Sequence, residues 1–417
     1  GPMWVVERNF SGKKGLMKYV GKLIAGVFCF ALIINTITAG NMFQAWNVAN
    51  LTEAYFGVPT IATGMILALI VGSVIIGGIK RIGAVTSKLV PIMLIIYILA
   101  CIYVLSINVT AIPEMLKLIV RAAFSPMESS NAFLGGTAGA AFIFGMQRAL
   151  FSNEAGQGSS AIAHSAAKTD EPVREGVVAG LEPFIDTIVV CTMSALVILV
   201  TGIWNRPAEV QLSDLTVNQS GQSWSIDGSI SNAPTLFDGN KVFMIYSGSE
   251  NTEAGNSLHK VYGRVVLNAS GKSIDWDKIS SVTPPEINGA VYLDYVGANL
   301  TAAAFDKVSS GLGKWLVTLA SWLFAISTMI SWSYYGEKGV SFLLGEKAIL
   351  TYKLAFCVLA VLSTTGFIQT DRELNLFANL GTGLCIMANL PILWLFGYQA
   401  MRDYKLYISK LKAGEFD

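Results

Sequence analysis

Charge is what this sequence has least of. Only 14% of its 417 residues are Asp, Glu, Lys or Arg, where soluble domains carry about 25%; the shortfall excludes an ordinary water-bathed globule. Histidine is nearly missing too: His164 and His259 stand too far apart, in too different surroundings, to suggest a metal site. The five cysteines (Cys29, Cys101, Cys191, Cys357 and Cys385) all lie in apolar runs without a close CxxC spacing. Neither a disulfide framework nor a zinc site is indicated, and they read as small buried hydrophobes. Enzyme signatures are absent. There is no HExxH, no GxSxG and no Walker A pattern, and the glycine clusters do not follow a strand as a dinucleotide fingerprint requires. A net charge of +1 offers nothing to nucleic acid. Heptads and short-period repeats are lacking, and no signal peptide is visible. The chain opens Gly1-Pro2-Met3 without an initiator Met, which reads as either a tag scar or the edge of a fragment.

What is present is apolar sequence: 53% of the residues are hydrophobic. A membrane span needs about 20 mostly apolar residues. Eight candidates lie near 19–40, 58–79, 89–109, 132–152, 177–203, 314–334, 348–368 and 376–398. Lys and Arg gather at the N-terminal segment (Arg8, Lys13, Lys14, Lys18), after span two (Lys80, Arg81, Lys88), after span four (Lys168, Arg174) and in the tail (Arg402, Lys405, Lys410, Lys412). With eight spans these four segments share one side. The positive-inside rule makes that side cytoplasmic, with both ends of the chain inside.

Two connections on the opposite side differ from plain loops. Residues 110–131 carry Ile112, Met115, Leu116, Ile119 and Val120 at helical spacing, with Pro113 near the start. They read as a short amphipathic helix on the outer surface. Residues 204–312 are rich in Asn, Ser, Gly and Asp. Short alternating runs begin at Ser223, Lys241, Val261 and Ala290, with turns expected at Asp227-Gly228, Asp238-Gly239 and Ser270-Gly271. This is a small outer β module: a lid, a partner-binding module, or an insertion without a transport role. Asn218 and Asn268 begin N-glycosylation sequons, which matter only in a host that glycosylates.

The richest stretch is 141–176, where apolar residues run directly into Arg148 and Glu154 and then into Ala155, Gly156, Gly158, Ser159 and Ser160. Charges and glycines at membrane depth are tolerated only where they face protein or a water-filled cavity. The pattern predicts a broken helix lining a transport path, unwound around Gly145, with Phe142, Phe144 and Met146 walling a small apolar pocket. Arg148 and Glu154 read as a gate or a structural pair. Glu182 and Asp186, spaced i, i+4 in an apolar span, are either functional carboxylates or part of a solvated vestibule. Asn41, Gln44 and Asn47 recur at i, i+3 on one helix face, where amides bind a carboxylate or ammonium, or else bond between helices. Gln44 is the strongest ligand candidate. Ser327 and Thr328 offer neutral oxygens fit for sodium, or back-bond to their own helix. Trp332, one turn beyond Thr328, is placed to close over a small substrate.

Gly145–Gly176, reading GMQRALFSNEAGQGSSAIAHSAAKTDEPVREG, closely resembles the core motif of the sodium:alanine (alanine/glycine:cation) symporter family, with Ala149 where Gly is usual. Gly1-Pro2-Met3, Gly40-Asn-Met with Gln44, Gly77-Gly-Ile-Lys-Arg-Ile, the run around Phe184–Thr192 and Trp332-Ser-Tyr-Tyr-Gly-Glu337 extend the resemblance to nearly everything outside about 205–300. The resemblance implies an all-α polytopic membrane protein with a leucine-transporter-like inverted-repeat fold and a small extracytoplasmic β insertion, which the family does not usually carry. The eight spans look like core helices three to ten: three to seven over 1–203, the insertion over 204–312, eight to ten over 313–400, and a cytoplasmic tail at 401–417. The leading helix and core helices one and two would be missing, so the chain is expected to be a piece of a longer protein.

The implied activity is symport of a small neutral amino acid, alanine or glycine, with sodium across the plasma membrane, with sodium as coupling ion and no other cofactor. The expected partners are the amino acid, sodium and the lipid bilayer. The substrate residues implied are Gln44, Asn41, Phe144, Gly145, Met146, Thr328 and Trp332. Ser327 and Thr328 would supply the hydroxyl share of a sodium site. A sensor using the β module, or an inactive symporter fragment, are the alternatives.

Overall fold

Leu16–Phe56 is 41 residues long and apolar enough to cross a membrane. At 1.5 Å per residue it spans about 60 Å, twice a hydrocarbon core, so its ends reach past the lipid tails. The computed structural model describes residues 1–417 except 13, 125–137, 222, 231–233, 252–255, 269–270, 296, 369 and 416–417. Its helices are α1 (Pro2–Ser11), α2 (Leu16–Ile37), α3 (Phe43–Phe56), α4 (Thr60–Ile75), α5 (Gly78–Ile107), α6 (Ile112–Phe124), α7 (Ala138–Ser152), α8 (Ser160–His164), α9 (Pro172–Ala179), α10 (Leu181–Pro183), α11 (Thr192–Val200), α12 (Ala298–Val308), α13 (Thr318–Leu344), α14 (Ile349–Leu362) and α15 (Asp371–Lys412). π-helical turns at Thr38–Met42 and Phe184–Cys191 join α2 to α3 and α10 to α11.

Five described helical runs are long and apolar enough to span: Leu16–Phe56, Gly78–Ile107, Pro172–Val200, Gly313–Leu344 and Glu373–Lys412. The protein is a multi-pass helical membrane protein. The remaining expected spans are shorter as helices: 16 residues in α4, 15 in α7 and 14 in α14. In α14 the apolar run continues past the helix. Ser363 and Thr364 turn their hydroxyls onto Ala360 O (2.8 Å) and Val361 O (2.7 Å), and Gly366 at φ 89° takes the chain away. Hydropathy does not register such a stop. α15 opens on a capping box: Thr370 accepts from the Glu373 N–H and the Glu373 carboxylate accepts from the Thr370 N–H.

The chain divides into two compact units. The first comprises 1–102, 147–194 and 314–417. Its core packs Phe28, Leu32, Leu67, Met329, Ile330 and Phe356. Lipid is as apolar as these side chains, so close van der Waals fit rather than water exclusion holds such helices together. Two glycines show the closeness. A Cβ on Gly40 would lie 2.5 Å from the Trp332 ring, and one on Gly336 only 1.9 Å from the Tyr352 hydroxyl.

The second unit, 103–146 with 195–313, contains α6, α12 and the β module. α6 is the amphipathic helix expected from 110–131, and none of its residues is buried. The module is an antiparallel sheet in the order β1-β7-β4-β5-β6 (Val210–Gln211, Glu286–Leu293, Lys241–Asn251, Asn256–Asn268, Gly271–Trp276), with a separate hairpin of β2 (Ser213–Ser220) and β3 (Ser223–Ser229). Met244 sits opposite Val261 on one side and Val291 on the other, so all three point to one buried face. On the opposite face Phe243 stacks on Tyr292 (centroids 5.4 Å apart), and the Lys260 ammonium lies 4.2 Å from the Phe243 centroid. One expected turn is corrected. Asp227 and Gly228 lie inside β3, with Asp227 opposite Thr216. A Cβ on Gly228 would stand 3.2 Å from Leu212 Cδ1; the glycine makes room for that leucine rather than a bend.

Candidate functional site: a broken helix and its polar caps

The helix carrying Arg148 does break, but later than its sequence suggests. α7 runs continuously through Gly145 to Ser152. The unwound stretch is Asn153–Ser159, where Glu154, Gly156 and Gly158 take φ of 49°, 76° and 77°. Glycine tolerates such left-handed backbone, whereas Glu154 is strained there and must be held. Its carboxylate accepts from Ser159 Oγ at 2.6 Å, and its carbonyl from Gln157 N at 3.1 Å.

A helix that stops inside a protein leaves carbonyls without partners. Here side chains take them in a directed chain. Thr382 Oγ1 donates to Asn35 Oδ1 (3.2 Å), Asn35 Nδ2 to Gln157 Oε1 (2.7 Å), and Gln157 Nε2 to Leu150 O (2.7 Å). Asn389 Nδ2 donates to Gly156 O (2.8 Å), and Cys385 Sγ to Gln157 O (3.2 Å). Asn35 and Gln157 are fully buried. Thr382, Cys385 and Asn389 recur at helical spacing along one face of α15, so a single face caps the break.

Both carboxylates flagged in the sequence reach the same segment. Asp186 accepts from Ser152 Oγ, Glu182 from Ser160 Oγ at 3.3 Å, and Thr187 donates to Asn153 Oδ1 at 2.6 Å. Arg148 and Glu154 engage separate partners. Arg148 donates to Asn375 Oδ1 and stands 5.4 Å from the Phe43 centroid. Six residues and a left-handed turn take Glu154 elsewhere. A narrow cleft beside Arg148 is lined by Phe43, Phe151, Ala378, Asn379 and Thr382.

The other expected site residues are distributed unevenly. Trp332 is buried, stacks on Phe151 (centroids 5.7 Å apart, planes 26° apart) and abuts Gly40 in the π-turn that also carries Asn41. Asn41 turns its amide to Phe356 O at 2.7 Å. Gln44 donates to Ala39 O in the preceding π-turn at 3.4 Å, the one hydrogen bond of its side chain among the described residues. The π-turn adds a residue to the local repeat, so Asn41 no longer keeps strict i, i+3 register with Gln44 and Asn47. Ser327 donates to Phe324 O at 2.9 Å. Thr328 is half-buried one turn before Trp332, and Met146 is exposed. Phe142 and Phe144 lie outside the described side chains. Among the described residues no three His, Cys, Asp or Glu groups gather as a metal site.

Asn35, Gln157, Thr382 and Asn389 were missed by sequence reasoning. A polar residue inside an apolar span was the available signal. It marks Asn35, Thr382 and Asn389 singly without pairing them, and Gln157, in the glycine-rich stretch after the span, not at all.

The chain is 32% identical to the sodium/alanine symporter of Methanococcus maripaludis over 88% of its own length and 60% of that protein. It is 26% identical to the sodium/proton-dependent alanine carrier protein of Bacillus sp. PS3, over 93% of this chain and 71% of that one. A probable sodium/glutamine symporter of Bacillus subtilis is 31% identical over 54% of the chain and 45% of that protein. The chain thus spans about 60% of the first relative's length. A family model matches residues 1–235 and 287–417 and leaves the strands β4, β5 and β6 unmatched. On that match the chain belongs to the sodium:alanine symporter family.

Proposed function

We propose that this chain serves sodium-coupled symport of a small neutral amino acid, alanine or glycine, across the plasma membrane. The observation that carries the reading is the helix broken at Asn153–Ser159 inside a helical membrane bundle, in a chain of this family. Relatives named for alanine and for glutamine support amino-acid transport as the class. A broken helix gives a transporter free backbone ends at membrane depth, and alternating access follows from rocking one helix group against another around them.

The substrate would meet Gln44, Asn41, Thr328 and Trp332. Gln44's weak internal bond leaves its amide readily exchanged for a substrate group. The Ser327 hydroxyl spends its hydrogen on Phe324 O, so its oxygen still presents lone pairs, and with Thr328 it would supply neutral oxygens to sodium. Glu182 and Asp186 would line the path from the cytoplasmic side. Both chain ends would be cytoplasmic and the β module outside.

The test is uptake of radiolabelled alanine into proteoliposomes with and without a sodium gradient, with glycine, serine and glutamine as competitors. Sodium-dependent uptake competed by glycine supports the reading. Uptake independent of sodium, or competed by glutamine alone, overturns it.

A further inference from the structure

Outside the broken-helix site, α13 and α14 share a buried ion pair. Lys353 Nζ lies 2.8 Å from Glu337 Oε2 with side chains only 7% and 11% exposed. A buried charge is costly alone and is retained where it is paired. The surroundings tie the pair to the rest of the unit. Next to Lys353, Tyr352 shares a hydrogen bond with Thr36 Oγ1 of α2 at 3.2 Å, and its hydroxyl fills the space left by Gly336. One turn on, Phe356 O receives the Asn41 amide at 2.7 Å. α14 therefore bonds to α2, to the π-turn and to α13 through neighbouring residues of one short segment, by the Tyr352 and Lys353 side chains and the Phe356 carbonyl.

We propose that the Glu337–Lys353 pair is a positioning element: it sets the rotation of α13 about its axis, and so the direction in which Thr328 faces. Thr328 and Glu337 are nine residues apart on one continuous helix. At 3.6 residues per turn that is two and a half turns, so they lie on opposite sides. Drawing Glu337 towards α14 turns Thr328 away from α14. Trp332, wedged against Gly40, fixes the same rotation at an intermediate level. The inference rests on the reading of Thr328 as a sodium and substrate residue; neither Glu337 nor Lys353 touches the cargo.

The experiment measures how sodium chloride, against potassium chloride, raises the melting temperature of the purified full-length protein in detergent, and extracts the sodium concentration giving half the effect. E337Q/K353M removes both charges together, which buried pairs tolerate better than loss of one partner. E337D keeps the charge but shortens its reach. Both should fold and raise the half-effective sodium concentration by about tenfold, while K353R stays near the unmodified protein. An unchanged sodium response in either folded variant overturns the inference. Failure of both to fold overturns it as well, since the pair would then be a folding requirement only. Absence of any sodium effect on the unmodified protein strikes instead at the transport reading beneath it.

Discussion

Asn35 and Gln157 stand 122 residues apart in sequence, yet the amide of one donates to the amide of the other at 2.7 Å, both fully buried. The contact joins α2 to the unwound stretch after α7 and completes the chain that caps Leu150 O. Gln157→Leu should therefore leave Asn35 Nδ2 and Leu150 O without partners. The expected loss is about 1–3 kcal/mol for each stranded group, read as a lower melting temperature in detergent. An unchanged melt would mean that water or backbone shifts take over the cap.

Trp332 and Gly40 permit a second prediction. A Cβ at position 40 would fall 2.5 Å from the indole, so Gly40→Ala forces ring or helix to move. The expected cost is about 1–3 kcal/mol. Trp332→Phe, which shrinks the ring, should recover part of that cost in the Gly40→Ala background. Additive losses in the double variant would show that the two residues do not touch.

Gln44→Ala separates ligand contact from structural support. The internal bond to Ala39 O is long at 3.4 Å, so stability should change by no more than about 0.5 kcal/mol. Alanine uptake should nevertheless fall about tenfold or more, if the amide meets the substrate. Equal uptake at equal expression would remove Gln44 from the site.

The β module gives a prediction of independence. Met244 is fully buried between Val261 and Val291, and Met244→Ala should cost the module about 2–5 kcal/mol. Protease cleavage within 241–276 should increase while sodium-dependent uptake is retained, because the family match bypasses β4, β5 and β6. Loss of uptake would instead give the module a part in transport.

The sequence made some of this legible for definite reasons. Long apolar runs announced the helices, alternation announced β4, β5 and β7, and Arg148, Glu154, Glu182 and Asp186 stood out as charges in apolar surroundings. The break was legible as a feature and misplaced in position. Gly145 looks like a breaker but sits inside α7, whereas the left-handed backbone at Glu154, Gly156 and Gly158 is fixed by caps from α2 and α15. Those partners lie more than a hundred residues away, and periodicity carries no information at that range. The Asp227-Gly228 misreading has a similar origin: the glycine answers to the bulk of Leu212, which only the folded hairpin brings beside it.

The central claim is coupling between sodium and a small amino acid, and coupling is reciprocal. The most direct measurement is sodium movement driven by alanine. Proteoliposomes containing the full-length protein hold equal sodium on both sides, and alanine is added outside only. The account predicts net sodium entry against the resulting gradient, absent in protein-free vesicles. Alanine entry without any sodium movement would contradict it.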